Sequence, residues 1–67
     1  MTRAEIEASE KEVLVCSEVA GLLGVNTYTL HETAIDEPER LTFPVLVFGR
    51  QVRIPRIPFM QAMGWIQ

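Results

Sequence analysis

The spacing of apolar residues along this chain changes twice. From Ser17 it is helical: Val19, Ala20, Leu22 and Leu23 fall at i, i+1, i+3 and i+4 and make one stripe. Gly24 ends that segment, because glycine adopts the left-handed conformation that closes a last helical turn. Val25 is expected to point inward and Asn26 to cap a second helix. Tyr28, Leu30, Ala34 and Ile35 give that helix a partly apolar face. Pro38 stops it, since the residue before a proline avoids helical angles. Two short helices around a Gly-Val-Asn corner form a helix-turn-helix. After Pro38 the spacing drops to two. LTFPVLVF and QVRI are rich in β-branched and aromatic residues and flank Gly49-Arg50, which is a hairpin signal.

The hairpin admits two registers, and a slip of one residue turns every side chain to the other face. A two-residue turn at Gly49-Arg50 puts Val45, Val47, Val52 and Ile54 inside and exposes Leu46 and Phe48. A three-residue loop from Gly49 to Gln51 aligns Leu46, Phe48, Val52 and Ile54 instead and hides the largest side chains. Burial favours the second. Pro55 and Pro58 then lead into FMQAMGWIQ, with Pro58 in a first helical turn. Phe59, Met63 and Ile66 share one face of this last helix, and Gly64 weakens it. Trp65 is either core or a partner-facing residue.

Residues 1–12 read as an acidic, flexible tail, although Thr2 and Glu5 have the spacing of a capping box. Val13 to Val15 either add a strand or anchor that tail. Residues 13–67 make one domain. The sequence therefore predicts a small α+β domain with a helix-turn-helix, a two-stranded hairpin and a C-terminal helix. Its core is expected to hold Val19, Leu22, Leu23, Leu46, Phe48, Val52, Ile54, Phe59 and Met63.

Composition narrows the class. Hydrophobic residues make up 48% of the 67, well above the range of a disordered chain. Cys16 is the single cysteine, so no internal disulfide forms, and it reads as a small buried hydrophobe. No apolar run approaches the ~20 residues of a membrane span, and a cytoplasmic protein is expected. Charge is uneven. Residues 13–39 carry Glu18, Glu32, Asp36, Glu37 and Glu39 with no basic residue, whereas residues 40–67 carry Arg40, Arg50, Arg53 and Arg56 with no acid. Any anionic partner should therefore meet the C-terminal half.

Two stretches, VLVCSEVAGLLGV and FPVLVFGRQVRIPR, resemble the excisionase-type helix-turn-helix family, small relatives of the MerR-type winged domain. The resemblance spans roughly Val13 to Met63. It implies a winged helix-turn-helix fold and double-stranded DNA as partner. The function it implies is that of an excisionase (a recombination directionality factor) working with an integrase, or of a small transcriptional regulator. The organism it implies is a prokaryote or a phage. In such domains the second helix enters the major groove and the hairpin wing lies along the backbone or minor groove. Carried onto this chain, Thr27, Tyr28 and His31 become candidate contacts on the second helix. Arg50 at the wing tip and Arg53 on its outer face become phosphate anchors, and Arg56 just beyond is either a third anchor or a salt-bridge partner of the acidic half.

The chain departs from the family pattern in ways that bear on function. Thr27 and Glu32 stand where relatives carry basic residues, and Val47 occupies a wing position that is often basic. Val15 replaces the usual threonine cap of the first helix, leaving Ser17 as its substitute. Bidentate reading of guanine by arginine is therefore absent from the second helix. Three arginines on phosphates imply a salt slope of roughly -3 per protomer. Occupancy would then need cooperative copies or a tethered partner. No cofactor, metal set or catalytic constellation is expected, so an enzyme is not. The alternative is a winged protein-interaction module that has lost DNA and docks a basic partner through its acidic half.

Overall fold

The computed structural model describes residues 1–66. Gln67, the last residue of the expected C-terminal segment, lies outside the described residues. The described residues form an α+β domain of four helices and a three-stranded antiparallel sheet of order β1-β3-β2. The elements are α1 (Arg3–Ala8), β1 (Val13–Leu14), α2 (Cys16–Leu23), α3 (Thr27–Asp36), β2 (Leu46–Phe48), β3 (Gln51–Pro55) and α4 (Arg56–Ala62). A single 3-10 turn, Pro38–Arg40, follows α3. Among the described residues no helix is long and apolar enough to cross a membrane.

The helix pair forms for local reasons. Gly24 takes φ 71 after α2, and the Val25 amide donates back to the Ala20 carbonyl at 3.1 Å. The Asn26 side-chain oxygen then accepts from the amides of Tyr28 and Thr29, at 2.8 and 3.2 Å, and starts α3. Glu37 leaves helical angles before Pro38, as expected. Val25 does not point inward; it is exposed on the corner. The cap of α2 also differs from expectation. Val15 is the capping residue, and Glu18 reaches back to accept its amide at 3.0 Å, while Ser17 lies inside the helix. Serine is not needed where a carboxylate one turn on takes the orphan donor.

β3 is the central strand. Val13 and Leu14 pair with Pro55 and Ile54, so the short apolar run does add a strand. On the other side Leu46 pairs with Arg53, Val47 with Val52 and Phe48 with Gln51. This is the two-residue turn at Gly49-Arg50, and it overturns the three-residue loop. Gly49 has φ 63 and Arg50 has a negative φ, the glycine-first geometry that matches strand twist in a tight hairpin. Val52 and Ile54 face the core; Leu46 and Phe48 face outward and are exposed. The core did not need them. Phe43, from the irregular segment before β2, fills that volume with its ring 4.9 Å from that of Phe59.

The N-terminal segment is packed rather than a free tail. Thr2 and Glu5 form both halves of a capping box, and Ile6 on α1 is fully buried as part of the hydrophobic core. At the other end α4 stops at Ala62, so Gly64 is a terminator and not a weak point within a helix. It takes φ 78, its amide donates to the Gln61 carbonyl, and the Trp65 amide donates to Met60. This folds Trp65 onto the edge of Phe59, 5.7 Å between centroids, with the Arg3 guanidinium 5.0 Å from its ring. Ile66, expected on the core face, is exposed instead.

Cys16 is buried at the start of α2, and burial pushes its thiol up from the ordinary value against the opposing effect of Arg53. Glu18 goes the other way. The amide of Val15 holds its carboxyl below the ordinary 4.5, and Lys11, 3.1 Å away, adds to the effect while partial burial opposes it. A depressed folded value stabilises above the unfolded one and is lost as pH falls through it. Glu18→Gln should therefore lower stability by about 0.5–1 kcal/mol at neutral pH. Urea midpoints of the two proteins should converge as pH falls below 4.5. A gap that stays constant down to full protonation would contradict this role.

Candidate nucleic-acid interface

The six residues singled out from the sequence separate into three groups. Thr27, Tyr28 and His31 lie on α3, where the Asn26 cap fixes the start of the helix and hence which side chains face out. Leu30 and Ala34 are buried beneath them. Thr27 and Tyr28 are exposed, Tyr28 at 71%, and His31 is half-buried. Arg50 sits at the tip of the β2–β3 hairpin, and the two-residue turn brings that tip back towards α3. Thr27, Tyr28, His31, Glu32 and Arg50 together line a shallow groove of about 480 Å³. Four of the candidates thus share one surface.

Arg53 stands apart from that groove. Its pairing with Leu46 puts it on the outer face of the sheet with Leu46, Phe48 and Gln51. Its guanidinium donates to the Val52 carbonyl at 3.1 Å and is half-buried. It remains a cation on the hairpin, but it is less available than a side chain at the tip.

Arg56 is not available as a phosphate anchor. Its Nε donates to the Lys11 carbonyl at 3.0 Å, and one Nη donates to the carbonyls of Ile6 and Glu7 at 3.3 and 3.5 Å. These carbonyls belong to the last turn of α1 and the link that follows, and that of Ile6 also accepts from the Ser9 amide at 3.2 Å. The Arg56 amide extends the β1–β3 ladder by donating to Glu12 at 3.0 Å. Arg56 is the clasp that holds α1 against the sheet. Its acceptors lie 45 to 50 residues away along the chain, beyond any local pattern.

Glu32 also lines the groove, and its partner was not visible in the sequence. It pairs with Arg50, Nη2 to Oε1 at 3.3 Å. The arginine side chain is 76% exposed and the glutamate 30%. Arg50 therefore lies over the carboxylate from the solvent side. No sequence signal marks this pair, since 18 residues and two elements separate its members.

Comparison with family models, with curated proteins and with solved structures finds no match to this chain.

Replacing Arg56 by methionine keeps the stem and removes the donors that tie α1 and the following link to the start of α4. Stability should fall by about 1–3 kcal/mol in urea titration. Any ligand affinity measured on the folded fraction, and its salt dependence, should stay as in the parent. Unchanged stability would remove the clasp.

Proposed function

We propose that this chain is a winged helix-turn-helix DNA-binding protein, acting as an excisionase-type accessory factor or small transcriptional regulator. In this reading α3 enters the major groove and the β2–β3 hairpin is the wing. The observation that carries it is the shared groove: the exposed tip arginine, Arg50, meets Thr27, Tyr28 and His31 of α3 across one surface. A duplex laid on that surface meets a guanidinium on one side and hydroxyl and imidazole groups on the other. Arg53 adds a second positive charge along the hairpin. The uneven charge of the sequence supports the same orientation, because no acid follows Glu39.

Affinity should be modest. With Arg56 occupied by main-chain carbonyls, Arg50 and Arg53 remain, and two neutralised phosphates give a salt slope of roughly -2 per protomer. α3 contributes no arginine for bidentate contact with guanine, so hydroxyl and imidazole contacts supply the sequence preference. Adjacent copies on repeated sites, or an integrase bound alongside, would raise occupancy through effective concentration.

A second reading has its own support. β2 is an edge strand with Leu46, Val47 and Phe48 all exposed, at 43, 40 and 64%, and such an edge suits a protein partner. This edge suits an apolar or strand-adding partner rather than the basic partner expected to dock on the acidic half.

Fluorescence anisotropy with a labelled mixed-sequence duplex separates the two. Binding should be detectable at low salt and weaken as salt rises. The double variant Arg50→Ala, Arg53→Ala should lose about tenfold or more at low ionic strength. Equal affinity in parent and double variant would rule out the hairpin arginines as anchors. Absence of any duplex binding, together with a tight protein partner, would favour the second reading.

A further inference from the structure

We infer that Glu32 is a built-in competitor for the phosphate contact of Arg50, so that this chain engages DNA by exchanging one ion pair for another. The inference rests on the DNA reading above and concerns the regulation of that same surface. It starts from the geometry. The carboxylate is carried by a packed helix and the guanidinium by a hairpin tip, so their 3.3 Å contact ties two elements that a duplex must bridge. The contact runs through Nη2 and one carboxylate oxygen. A phosphodiester offers the same kind of charged oxygen acceptor and lies on the side from which Arg50 is already open to solvent.

An exposed pair of this kind is weak, so phosphate can displace it. Displacement has a second consequence. The freed carboxylate is left beside a polyanion and takes up a cation from solution, which offsets the counter-ion that phosphate neutralisation releases. Glu32 thus lowers both the affinity and the apparent salt sensitivity of the parent protein. It also biases binding towards sites where contacts by Thr27, Tyr28 and His31 make up the difference. An acid in the middle of a DNA-facing helix then has a role: it weakens indiscriminate binding.

Glu32→Gln preserves shape and removes the charge. On a mixed-sequence duplex it should bind about three- to tenfold more tightly than the parent at low salt. Its slope of log K against log salt should be more negative by about 0.9. The effect must pass through Arg50, so a double-mutant cycle decides its origin. In an Arg50→Ala background the gain from Glu32→Gln should fall to less than half. Equal or weaker binding by Glu32→Gln would overturn the inference, as would a gain of full size in the Arg50→Ala background. Failure of the underlying reading looks different: neither parent nor Glu32→Gln would bind any duplex at low salt, and both conclusions would fall together.

Discussion

The register of one short hairpin decides how this domain is arranged. Gly49 at φ 63 allows a two-residue turn, and that turn sets Val47 against Val52 and Leu46 against Arg53. From this pairing follows which side of β2 lies with the core-facing residues of β3. Val52 and Ile54 go in, and Arg53 and Gln51 go out. The same turn carries Arg50 to the groove beside α3. Shifting the pairing by one residue would bring Phe48 inward, displace Phe43 from Phe59 and change where the tip arginine lies. A single glycine therefore links sheet register, core composition and the candidate interface.

β3 also joins the two ends of the chain. β1 pairs along one edge and β2 along the other, and Arg56, immediately after the strand, clasps the end of α1. The aromatic cluster of Phe43, Phe59 and Trp65 closes one side of the core. In so short a chain every such contact matters, because small domains bury a limited share of their surface. The described residues leave no buried side-chain polar atom without a partner, and the core itself is wholly apolar. Polar groups are confined to the rim, where caps and the Arg56 clasp use them.

Much of the architecture was legible because it is written locally. Gly24, Asn26 and Pro38 each act within a few residues, through a backbone angle, a side-chain cap and a steric exclusion, and all three act as read. What could not be read depends on partners distant in sequence. Phe48 is the largest apolar residue of β2, yet the two-residue turn leaves it outside, and Phe43 is the ring that packs on Phe59. The capping box at Thr2 was visible, but the burial of Ile6 in the core was not. Among the site residues, the gathering of Thr27, Tyr28, His31 and Arg50 follows from helix and hairpin geometry. The diversion of Arg56 to carbonyls and the pairing of Arg50 with Glu32 do not, for each joins elements that no short motif connects.

The central claim is the pairing across β2 and β3, and proton NMR reads it directly. Residues flanking a two-residue turn exchange hydrogen bonds, so the next pair, Val47 and Val52, is the closely spaced one, with α-carbons roughly 4.5 Å apart. A strong nuclear Overhauser contact between the α-protons of Val47 and Val52 is therefore expected. Its absence, with a strong contact between the α-protons of Val47 and Arg53 in its place, would mean a slipped hairpin and would contradict the account of both core and interface.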